Sequence, residues 1–187
     1  TVAAHCVYLT DSDIDLLAKR GVSVATNPVS NLKLANGVAP VPKLMKAGVN
    51  IALGTDGAAS NNALNMFREL GFLSVLHKGV TGDPQSVSAR DAFNIATKNG
   101  AKALGLDKVG EIKQGMKTDL VIMDLDRPNL QPLNDPVAAI AYSANGSEVE
   151  TVIVGGKILM EDGRFLTVDR EKVIFEVNKV CERIGTR

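Results

Sequence analysis

The chain has 187 residues, enough for one domain with a real core. Hydrophobic residues make up 45% and charged residues 22%, ordinary for a soluble globular chain, and 21 Lys and Arg balance 21 Asp and Glu. That balance leaves no basic field for nucleic acid or an anionic membrane; 4% aromatics without Trp argues against base-stacking platforms, and no apolar run approaches the roughly 20 residues that span a bilayer.

The sequence opens T-V-A-A-H-C-V-Y-L, directly on a strand-like run, with no Met and no signal peptide, as expected of a fragment. Residues 2–7 read as a strand. Thr10 reads as an N-cap, with Asp13 at the third helical position, Ile14, Leu16 and Leu17 as the apolar stripe and Gly21 as the stop. Residues 22–26 form a second strand, 27–39 a long loop, 40–47 a short helix closed by Gly48, and 49–55 a third strand. Strands separated by helices predict an α/β chain with a parallel sheet or barrel segment. Helices follow at 63–77 and 89–104, the second capped by Ser88 with Asp91 behind it.

After Gly105 the pattern changes. Residues 110–126 read as strand, turn, strand, and Gly155-Gly156 between two apolar runs is a tight hairpin signal. Asp162-Gly163 marks another turn, before a run at 164–168. An antiparallel β element is therefore expected over 109–168, interrupted by a Pro-rich loop at 127–136 and a short helix near 137–142. A last helix, 170–184, places Val173, Val177, Val180 and Ile184 on one stripe.

The stretch most suggestive of chemistry is V-N-I-A-L-G-T-D-G-A-A-S-N-N, residues 49–62. Val49, Ile51 and Leu53 lie on one strand face; Ala52, Gly54 and Asp56 lie on the other. A carboxylate at the carboxyl end of a buried strand, beside small residues, is where α/β barrels place catalytic groups. Asp56 equally fits a turn or a helix cap. The segment after it reads as turn chemistry rather than helix.

Two histidines are present. His5 falls near the carboxyl end of the first strand, on the face of Ala3. It fits either a hydrogen-bonded core imidazole or a catalyst, and would share a mouth with Asp56 if strands one and three lie close. His77 reads as a C-terminal helix charge favoured by the macrodipole. Cys6 and Cys181 form no metal-type pair, so reduced thiols in a cytoplasmic protein are expected. Cys6 and His5 are adjacent and point to opposite strand faces, a poor nucleophile pair. No G-x-S-x-G elbow and no phosphate-binding loop occurs.

A-H-C-V at 4–7, N-P-V-S-N-L-K-L-A-N-G at 27–37 and L-G-T-D-G-A-A-S-N-N at 53–62 resemble the amidohydrolase superfamily. The resemblance is strongest to the branch that deaminates methylthioadenosine and S-adenosylhomocysteine, related to triazine hydrolases. G-E-I-K-Q-G-M-K-T-D-L-V-I, residues 110–122, resembles that superfamily's return into its small β-domain, with Thr118 where Ala is more usual. The resemblance implies a metal-dependent (β/α)8 TIM barrel with a β-sandwich. Residues 1–105 would be the last three strand–helix units, and 106–187 the C-terminal sandwich strands and closing helix.

By the same resemblance Asp56 is a metal ligand and proton shuttle, and His5 sits beside the metal and polarises the attacked centre. Ser60 and Asn61 would touch substrate, or simply form a turn. The implied cofactor is a divalent metal, most often zinc, with iron as an alternative. The implied reaction is attack by a metal hydroxide on the purine carbon that bears the amine. The family's other ligands, a His-x-His pair, a further His and a proton-handling Glu, have no counterpart here. The chain alone is therefore expected to bind metal weakly and to be inactive, and to pair with the missing N-terminal half or with itself as a homo-oligomer. Two alternatives stay open: part of a chlorohydrolase or a guanine or cytosine deaminase, and a non-catalytic half-barrel scaffold.

Overall fold

A computed structural model describes residues 1–185 as two units. The first comprises residues 1–116 and 125–147, the second 117–124 and 148–185.

The first unit is built on three parallel strands, β1 (Val2–Ala4), β2 (Ser23–Thr26) and β3 (Ile51–Leu53), in that spatial order. Each crossover carries a helix, as parallel pairing demands. The first is α1 (Asp11–Arg20), where Thr10 and Asp13 form a capping box and Gly21, at φ 61°, ends the helix in the left-handed conformation. Thr10→Ala removes that box and is expected to cost about 1 kcal/mol, read by chemical denaturation.

Between β2 and β3 the expected loop is instead a helix, α2 (Pro28–Lys33), followed by α3 (Val41–Lys46). Helix α2 starts at Asn27-Pro28, an N-cap type and a first-turn proline, but at six residues it is too short to show a periodic apolar stripe in the sequence. After β3 the presumed turn is one helical turn, α4 (Ala58–Asn61). Helix α5 (Met66–Thr81) runs four residues beyond its expected end, stopping at Gly82 with φ 69°. The single helix expected at 89–104 is two, α6 (Ala89–Ala96) and α7 (Lys98–Ala103), broken at Thr97, whose φ of −119° and ψ of −96° leave the helical region. Helix α8 (Pro136–Tyr142) packs on α5 and α6. The core joins Val24 and Ile51 of the sheet to Val41, Leu44, Leu70, Leu73, Ala92, Ile95 and Ala141 of the helices.

The second unit is a four-stranded antiparallel sheet of β4 (Leu120–Met123), β5 (Val149–Val154), β6 (Lys157–Glu161) and β7 (Arg164–Phe165), in chain order. Gly155 and Gly156 both have positive φ, 58° and 79°, as a two-residue hairpin of matching twist requires. Residues 110–113 form no strand; Gly110 and Gly115, at φ 92° and 83°, turn the chain there and Ile112 is exposed. Helix α9 (Arg170–Ile184) has the expected bounds, but none of its residues is buried, so its apolar stripe is not a core face of this unit. No helix among the described residues is long and apolar enough to cross a membrane.

Candidate functional site

The three parallel strands end on the same side, and the backbone changes character there. The His5 N–H still donates to Ala25 O at 2.8 Å, continuing the ladder. Then the Cys6 N–H donates to Ala4 O at 2.8 Å around His5, whose φ is 63°. An i to i+2 hydrogen bond at positive φ is the rare, strained form of γ-turn. Asp56, three residues past β3, also has φ 63°. Non-glycine residues seldom adopt this region, and such strain clusters at functional positions. It also means that strand alternation does not set where these two side chains point. They lie outside the strands.

The two side chains nonetheless meet. His5 Nε2 is 4.0 Å from Asp56 Oδ2, and both side chains are partly exposed. That is too long for a direct hydrogen bond and short enough for one atom to touch both. Asn31 Oδ1 lies 2.9 Å from His5 Nδ1. With the amide oriented so, Nδ1 carries the hydrogen and Nε2, the nitrogen facing Asp56, presents its lone pair.

Asp56 is held by three donors. The Ser30 hydroxyl donates to Oδ2 at 2.6 Å, the Ser60 hydroxyl to the same oxygen at 2.7 Å, and the Gly57 N–H to Oδ1 at 2.8 Å. The Ser30 hydroxyl chiefly, then Ser60, then Gly57, lower the carboxyl to about 2, so Asp56 is an anion at any neutral pH. Oδ2 is filled by two hydroxyls, whereas Oδ1 keeps a lone-pair direction open.

Ser60 thus joins His5 and Asp56. Asn61 does not: it is 2% exposed, and its amide donates to Thr55 O at 2.6 Å and to Glu69 Oε1 at 2.5 Å, away from the mouth. Ser30 and Asn31, adjacent on α2, are the residues that sequence reasoning missed. The signal was present in N-P-V-S-N, where neighbouring polar residues follow a strand end, but the segment reads as a loop. Cys6 is half-buried, and burial pushes its thiol up, consistent with an unreactive side chain.

The donor set decides what the mouth can hold. A catalytic zinc takes about three protein ligands and an open position. Among the described residues no three His, Cys, Asp or Glu side chains stand together. His5 and Asp56 therefore do not by themselves make a metal centre.

Residues 1–159 match the Amidohydrolase family. The chain is 51% identical over 184 residues to 5-methylthioadenosine/S-adenosylhomocysteine deaminase of Acetivibrio thermocellus, covering 98% of this chain and 43% of that protein. It is 50% identical over 186 residues to 5′-deoxyadenosine deaminase of Methanosarcina mazei, with 100% and 43% covered. Among solved structures, an adenosine deaminase from Xanthomonas campestris with bound zinc superposes with a TM-score of 0.96 at 38% identity, over 100% of this chain and 43% of that one. The atrazine chlorohydrolase of Arthrobacter aurescens TC1, complexed with zinc, gives 0.90 at 26%, over 95% and 40%. The chain thus spans under half the length of the curated relatives it matches. With the match running from residue 1 to residue 159, on an α/β framework with a parallel and an antiparallel sheet, the chain belongs to the amidohydrolase family.

Proposed function

We propose that this chain is the C-terminal part of a metal-dependent deaminase of adenosine-type nucleosides, with methylthioadenosine and S-adenosylhomocysteine as the substrate class. The observation that carries the proposal is the His5–Asp56 pair at 4.0 Å, in a chain half identical to deaminases of such nucleosides. The lower identity to the chlorohydrolase, 26%, favours deamination over dechlorination.

In this reading residues 1–105 are the last three units of a TIM barrel, and 106–187 the C-terminal share of its sandwich. The chain offers one carboxylate and one imidazole toward a divalent ion; the other ligands come from the rest of the barrel. A homo-oligomer of the complete protein in the cytoplasm, with its cysteines reduced, fits the same proposal.

The chain's own residues divide the work. Asp56 is ionised before substrate arrives. It accepts the proton of the attacking water at Oδ1, the oxygen not filled by hydroxyls, and returns it to the leaving amine. His5 holds its Nε2 toward the reacting centre because Asn31 fixes the ring and its tautomer. Ser60 lies on the rim and orients substrate; Asn61 braces the turn that carries it.

Ammonia release from methylthioadenosine, S-adenosylhomocysteine and 5′-deoxyadenosine tests this. With added zinc, the 187-residue chain is expected to show none, and the full-length protein to turn over at least one of the three. Turnover by the 187-residue chain alone would refute the incomplete-centre argument. A zinc-loaded full-length protein inert on all three would refute the substrate class.

A further inference from the structure

Glu69 is fully buried in the first turn of α5. Burial raises its carboxyl, and two hydrogen bonds oppose that rise. A buried carboxylate is costly unless something holds it. Here its two oxygens take one donor each: Oε2 accepts from the Val29 N–H at 3.1 Å, and Oε1 from the Asn61 amide at 2.5 Å.

Those donors belong to two different short helices, α2 and α4. Val29 precedes Ser30, which donates to Asp56, and Asn31, which meets His5. Asn61 follows Ser60, the other hydroxyl on Asp56. We propose that Glu69 is the positioning residue of the site: one buried carboxylate holds, on separate oxygens, the two short helices whose serines grip Asp56.

The local structure supports this. Helix α2 has six residues and α4 has four, and neither has a side-chain cap. Helices this short do not persist on their own hydrogen bonds, so outside contacts decide where they sit. Lys33 adds a strap at the surface, donating to Ala59 O at 3.1 Å and to Asn62. Glu69 is the buried strap, where a hydrogen bond to a charge is stronger. A carboxylate accepts from both partners at once. An amide at this position offers one acceptor, and its N–H groups could be met only by turning the Asn61 amide, which gives up the 2.6 Å bond from Asn61 to Thr55 O.

The consequence for turnover rests on the deaminase reading, but the clamp can be measured without turnover. Amide hydrogen exchange, followed by NMR in the 187-residue chain, reads both arms. In Glu69→Gln, exchange at Val29, or at Asn61 of α4 and Asn62 just past its end, is expected to rise at least about tenfold, with β2 and the middle of α5 unchanged.

Asn61→Ala, which keeps the buried charge and its Val29 bond, serves if Glu69→Gln does not fold. It is expected to loosen α4 while Val29 stays protected. Unchanged exchange at both arms, a uniform rise across the whole first unit, or loss of both arms in Asn61→Ala would overturn the proposal. Failure of the deaminase reading shows separately, as no ammonia from the unmutated full-length protein.

Discussion

Asp56→Asn in the full-length protein is expected to lower kcat/KM for methylthioadenosine by at least about 10³-fold while the protein stays folded. The separation of the two effects follows from the donors around the side chain. An anion is what Ser30, Ser60 and the Gly57 N–H are arranged to hold. The amide keeps one acceptor oxygen, and both serine hydroxyls can rotate to accept from its N–H groups, so the loop retains its bonds. What is lost is the charge and the basic lone pair at Oδ1, which the proposed function uses to hold the ion and carry the proton. Steady-state ammonia release together with a thermal melt checks this. Activity within about tenfold of the unmutated protein, with an unchanged melt, would remove Asp56 from the chemistry.

How much of this site could be read from the chain depends on which link fixed each residue. Asp56 stood out because an apolar run ends in L-G-T-D, a local pattern. His5 stood out as a rare residue type near a strand end. Parallel order and a common direction, which the strand–helix alternation supplies, bring the two strand ends to one side; the positive-φ backbone at both residues, beyond the strands, then sets where the side chains point. Ser30 and Asn31 did not stand out because α2 is too short to show a periodic apolar face; its position comes from Glu69, forty residues away. Glu69 itself resembled an ordinary acid in a helix's first turn. Its burial was detectable only by noticing that Glu69, Leu73 and His77 recur every four residues, on one face of α5 with Leu70 and Ser74.

Strain was equally beyond reach. Alternation places Asp56 on the face of Ala52 and His5 on that of Ala3, yet both residues sit at φ 63° beyond their strands. Nothing in T-D-G or A-H-C announces a left-handed residue, because long-range contacts impose it: Ala25 O on the His5 N–H, Ser30 on the Asp56 carboxylate. The sequence lacks what tertiary structure adds here, namely donors from one loop that fix a side chain on another.

His77 shows the same limit and leads to a measurable pH dependence. Ending α5 at residue 77 made it an exposed cation on a helix C-terminus; the helix continues to Thr81, and His77 is 2% exposed among α5's inward residues. Burial lowers its pKa from 6.5 to about 4. The folded state therefore holds the ring neutral, while the unfolded chain takes up a proton below about pH 6.5. For a base depressed by folding, the stabilisation is complete above the unfolded value and is lost as pH falls toward the folded one. Below about pH 4 both states are protonated and the loss stops. Allowing for residual screening, this chain should lose about 1–2 kcal/mol of unfolding free energy between about pH 7 and pH 5 through His77 alone. Asp56 acts in a separate window, from its usual 3.8 down to about 2, so it does not confuse the measurement. Urea unfolding across that range, compared with His77→Leu, isolates the contribution: the variant is expected to be flatter over the same interval. An identical slope in both proteins would mean that the imidazole is not held neutral by the core, and that the inner face of α5 is wetter than its packing on α6 and α8 implies.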